Sequence, residues 1–72
     1  MEVRVGQRLK INKVEEGNSM LQRRLLDFGL MEGAVITIQQ ILPFEGPCIL
    51  EYEGTVIGMR KRDMKILQME RG

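Results

Sequence analysis

Turn-forming residues divide this chain so finely that it can hold only brief elements. Gly6, Gly17, Gly29, Gly33, Pro43, Gly46, Pro47 and Gly54 interrupt the sequence, and Arg60-Lys61-Arg62-Asp63 adds a polar break. Glycine frees φ, and proline fixes it while removing a backbone donor, so both mark turns. What lies between them must be short strands or a short helix.

The period of the apolar residues decides which. Residues 7–14 alternate, with Leu9 and Ile11 on one face and Arg8, Lys10 and Asn12 on the other; Val14 breaks the phase. This reads as a half-buried strand. Glu15-Glu16-Gly17-Asn18 reads as a loop. Over 19–28 the period lengthens: Leu21, Leu25 and Phe28 form one helical stripe, with Arg23 and Arg24 off it. Ser19-x-x-Gln22 fits a capping box, and Gly29 stops the helix. Residues 34–42 are rich in β-branched types and predict a long strand. Residues 48–52 and 55–59 flank Glu53-Gly54. A two-residue turn there would pair Tyr52 with Thr55, Leu50 with Ile57 and Cys48 with Met59, all on one mostly apolar face. Residues 64–70 predict a final strand.

About five short strands with one helix inserted after the first predict a mainly β fold, closed as a small SH3-like barrel that hides most of its edges. At 72 residues, the span 1–72 reads as one domain. No apolar run is long enough to span a membrane. The amino terminus, Met1-Glu2-Val3-Arg4-Val5, lacks the apolar core of a secretory signal, and the single Cys48 offers no internal disulfide; both favour a cytoplasmic location.

Composition then removes most chemistry. The chain has no histidine and one cysteine, so a Ser-His or Cys-His nucleophile pair cannot form and a soft-metal site is hard to build. No enzyme activity, cofactor or metal is expected. The six methionines read as core packing where they fall on apolar positions, as Met59, Met64 and Met69 do. Glu51 and Glu53, two apart on a predicted strand, could join a hard cation as a carboxylate metal sensor, but other oxygen ligands are missing from the pattern. Arg60-Lys61-Arg62, with Lys65, is the densest basic stretch. A nucleic-acid-binding barrel would want stacking aromatics beside it, and the chain offers only Phe28, Phe44 and Tyr52. Nucleic acid is therefore the alternative partner, not the expected one.

Formal charge is +1, with basic ends and an acidic middle. If the first and last strands pair, their cations would gather on one side and orient an anionic partner. Phe44 is a large apolar residue in a loop, and Leu30 and Met31 sit between helix and strand; each is a candidate anchor.

An ordered set of residues carries a resemblance. Gly6 precedes the first strand. Leu21-x-x-Arg24-Leu25-x-x-x-Gly29-Leu30-x-x-Gly33 leads to the strand at Ile36. Pro43, Gly46-Pro47 and Gly54 follow, then Ile57-Gly58-Met59-Arg60-Lys61-Arg62-Asp63-Met64. In this order and spacing they resemble the FeoA family, the ferrous iron transport protein A domain, over nearly the whole chain. Gly58 and Met59 depart from the usual residues without threatening the fold. The resemblance implies an SH3-like barrel with a helical insertion. It implies a non-enzymatic cytoplasmic accessory of ferrous iron uptake whose partner is the FeoB membrane transporter, with its cytoplasmic GTP-binding domain. The surface residues expected to meet that partner are Arg23 on the helix, Met31 and Phe44 as apolar anchors, and Arg60, Lys61 and Arg62 as the steering cations. The apolar loop also allows a homodimer.

Overall fold

The hairpin around Glu53-Gly54 forms with the register its apolar pattern dictates. In the computed structural model, which describes residues 3–15 and 19–71, β3 (Cys48–Tyr52) and β4 (Thr55–Met59) pair antiparallel. Cys48 faces Met59, Leu50 faces Ile57 and Tyr52 faces Thr55. Glu53 and Gly54 both have positive φ, 47° and 83°, as the favoured two-residue hairpin turn requires. A one-residue slip would turn Cys48, Leu50, Ile57 and Met59 out of the core, so apolar burial enforces this register.

β1 (Arg8–Val14) and β2 (Val35–Ile41) match the expected strands, and the sheet order is β4-β3-β2-β1-β5. The phase break at Val14 has a structural cause: the register between β1 and β5 shifts between Ile11 and Lys13. A second shift lies between Ile38 and Gln40 in the β2–β3 ladder. Such irregularities bend strands and raise their twist. The sheet curls accordingly, giving Cα extents of 27 × 25 × 23 Å. A flat five-stranded sheet would be far thinner in one direction. The inner face buries Leu9, Ile11, Ile36, Ile38, Leu50 and Ile57. Each contributes about 1.5–3 kcal/mol relative to exposure.

The helix α1 (Ser19–Asp27) lays Leu25 on this core. Its start differs from the predicted capping box. Ser19 is already helical, and the Gln22 amide donates to the Glu15 carbonyl at 2.8 Å. The remainder of the predicted loop, residues 16–18, lies outside the described residues. The helix end corrects a second expectation. Phe28 does not complete the buried stripe; it is 38% exposed, and Leu30 is wholly buried instead. The Gly29 N–H donates to the Leu26 carbonyl at 2.9 Å and the Leu30 N–H to the Leu25 carbonyl at 2.8 Å. This hydrogen-bond pair is a Schellman cap, which sets Leu30 against Leu25. Gly29 carries φ 82°, and a β-carbon there would lie 3.1 Å from the Tyr52 ring.

The basic break is also more ordered than a polar turn. Lys61–Met64 form a short helix, α2, which buries Met64. The last strand, β5, is consequently Leu67–Arg71, not 64–70. α2 joins the two edge strands of the sheet, β4 and β5.

Candidate functional site

The cations expected to gather across β1 and β5 do not. The strands pair, but Lys10 faces Glu70 and Lys13 faces Gln68, so the paired face is mixed. The basic concentration lies at α2. Arg60, Lys61, Arg62 and Lys65 are all exposed, and they line one groove of about 510 Å³ with Glu45 and Pro47 of the β2–β3 loop.

That loop is built to project its tip. The Leu42 N–H donates to the Pro47 carbonyl at 3.2 Å and the Gly46 N–H to the Pro43 carbonyl at 3.1 Å. Between them Phe44 and Glu45 take φ 57° and 59°, the left-handed region that side chains other than glycine rarely occupy. Gly46 is held tightly, since a β-carbon there would meet the Leu42 β-carbon at 2.8 Å. Phe44 is 100% exposed at the tip. The chain thus holds an aromatic side chain in solvent on strained backbone.

A second groove, of about 540 Å³, adjoins the first and shares Pro47, Arg60 and Arg62 with it. Its other wall is α1 and the helix end, through Arg24 and the half-exposed Phe28. Arg24, which the helical stripe did not single out, is therefore the α1 arginine at the groove; Arg23 is exposed outside it. Only the packing angle of α1 on the sheet separates the two. Met31, 50% exposed, lies apart. It shares a smaller apolar groove of about 250 Å³ with Leu26, Leu30 and Val14. The structure therefore brings Arg60, Lys61, Arg62 and the Phe44 loop together and leaves Arg23 and Met31 elsewhere. Leu30 is core, not an anchor.

The carboxylate pair has a different use. Glu53 sits in the hairpin turn and not on the strand, and Glu51 accepts from the Gly54 N–H at 2.8 Å. Among the described residues no group of three or more His, Cys, Asp or Glu lies together to hold a metal ion. Cys48 is a buried free thiol. Met59 and Met64 are core, and Met69 packs against it. No helix among the described residues is long and apolar enough to cross a membrane.

A family model described as the FeoA domain matches residues 1–71. No curated protein matches the sequence. Among solved structures, the FeoA protein of Chlorobium tepidum gives a TM-score of 0.87 at 24% identity, covering 97% of this chain and 66% of that one. Iron(II) transport protein A of Clostridium thermocellum gives 0.86 at 23%, covering 96% and 42%. The FeoA-like protein of Clostridium acetobutylicum gives 0.81 at 26%, covering 97% and 80%. This chain thus spans under two-thirds of the first two relatives. These likenesses place the curled five-stranded sheet with its inserted helix among small SH3-like folds.

Proposed function

This chain belongs to the FeoA domain family, and from that premise we propose that it is a non-enzymatic accessory that docks on the cytoplasmic part of the FeoB transporter and assists or regulates it. Membership of the family implies a role in ferrous iron transport. The match over residues 1–71 carries the reading. The residue inventory agrees with it: without histidine, and with its one thiol buried, the chain is poorly equipped to carry the ion itself and better suited to act through its surface.

In this reading the docking face is the ridge where the Phe44 loop meets α2. Phe44 supplies the apolar anchor, and Arg60, Lys61 and Arg62 steer toward an acidic surface. Arg23 and Met31 belong to separate surfaces and take secondary parts. The test is capture of the soluble GTP-binding portion of FeoB by the purified chain. Wild type is expected to retain it, and Arg60→Gln/Lys61→Gln/Arg62→Gln to release it. Equal capture by both would move the contact elsewhere; no capture by either would overturn the docking reading. A homodimer through the Phe44 loop is the other association this face allows, read by sedimentation of wild type against Phe44→Ser.

A further inference from the structure

We infer that the groove between α1, β4 and α2 is a binding track for an acidic peptide segment, in which Arg24, Arg60 and Arg62 grip carboxylates as guanidinium forks. The inference deepens the docking reading above and rests on it for the identity of the partner; the groove itself stands on its own observations.

Three arginines from two separate elements line one concave space of about 540 Å³, well within the range of ligand-binding clefts. None of them has an ion-pair partner among the described residues. Drawing like charges to one groove is unfavourable unless an anion completes it. One acid, Asp63, is present, so the groove retains an excess of positive charge. Arginine is the cation whose planar fork matches two carboxylate oxygens at once, whereas lysine is a point charge. Phe28 gives the wall an apolar face, so a side chain flanking the carboxylates would also find cover.

The shape favours an extended chain over a single small anion. The groove runs into the neighbouring one through Arg60 and Arg62, which adds Lys61 and Lys65. Cations therefore continue from one groove into the next, and an extended segment can follow them with the carboxylates of every second residue, about 6.6 Å apart on one face. The same path suits a polyphosphate strand less well. Glu45 and Asp63 line it, Phe28 is its one aromatic wall, and net formal charge is only +1. A nucleic-acid track wants a strong basic excess and several stacking platforms.

The experiment is a fluorescence anisotropy titration of the full chain with a labelled oligoglutamate peptide at low salt, repeated with a single-stranded RNA oligonucleotide. Saturable peptide binding is expected. Arg24→Lys/Arg60→Lys/Arg62→Lys keeps the charge and loses the forks. It should weaken binding about tenfold or more, the worth of a charge-assisted hydrogen bond. Lys10→Gln, on β1, should leave binding unchanged. All these side chains are exposed, and unchanged thermal melts establish that each variant folds. Three results would overturn the inference: no peptide binding, equal affinity in the lysine variant, or tighter binding of RNA than of peptide. The docking reading fails separately. If the peptide binds and the FeoB portion is not captured, the groove stands without that partner. If the lysine variant binds peptide as tightly as wild type and still captures the transporter portion, docking stands and the fork site falls.

Discussion

The strained tip of the β2–β3 loop gives a prediction with an unusual sign: removing a large apolar residue should stabilise the protein. Phe44 and Glu45 both have positive φ, and the Gly46 N–H closes the turn on the Pro43 carbonyl. A left-handed backbone costs an ordinary L-residue about 1–2 kcal/mol. Asparagine tolerates this region and glycine is free in it, so Phe44→Asn/Glu45→Gly installs the pair that such turns prefer. Nothing is lost in burial, because Phe44 is wholly exposed. Part of the gain is offset by the greater freedom of glycine in the unfolded chain, roughly 0.5–1 kcal/mol. The net expectation is a gain of about 1–2 kcal/mol, equivalent to roughly 5–15 °C in Tm for a domain of this size. Urea titration followed by circular dichroism, beside a thermal melt, measures it. A midpoint equal to or below wild type would refute the claim that this turn is strained. If the docking reading holds, the stabilised variant should also lose capture of the FeoB portion, because the aromatic anchor has been exchanged for stability.

Other expectations follow from the packing. Leu25→Ala removes a side chain that is 2% exposed and touches the Schellman cap, and should cost about 2–5 kcal/mol in a denaturant melt. Gly46→Ala drives a β-carbon to within 2.8 Å of that of Leu42 and should destabilise by about 1–3 kcal/mol in the same assay, with the Leu42 and Phe44 amides shifting most by NMR. Glu51→Ala releases the Gly54 N–H and should cost about 0.5–1.5 kcal/mol, faster amide exchange at Gly54 being the direct readout. Phe28→Ala, at a half-exposed position, should cost less stability than Leu30→Ala, where the side chain is fully buried; the reverse order would restore Phe28 to the core.

The candidate site was legible only in part. The density of Arg60-Lys61-Arg62 and the placement of Phe44 in a proline-bounded loop are local facts, and the structure sets that loop, through Glu45 and Pro47, beside the basic run. Arg24 was missed in favour of Arg23 because both lie off the apolar stripe. Helical periodicity says which residues face the core, not which of the remainder faces a neighbouring element. The exchange of Phe28 for Leu30 did leave a signal. An apolar residue directly after the helix-ending glycine, five residues beyond a buried one, is the pattern of a Schellman cap. Read with that motif in mind, Leu25-x-x-x-Gly29-Leu30 assigns Leu30 inward.

Strand existence, the faces of β1 and the whole register of the β3–β4 hairpin were determined by the sequence, because side-chain direction alternates residue by residue and a two-residue turn leaves no freedom of pairing. Tertiary structure alone decided that Lys61–Met64 would coil into a helix instead of running on into β5. Met64 finds cover in the core from that helix, and the curled sheet needs a link between its two edges. It decided, by the same curl, that cations distant in the chain meet across one groove. Local periodicity records which way a residue points from its own backbone; where two backbones come to rest against each other is set by how the buried faces fill a shared interior.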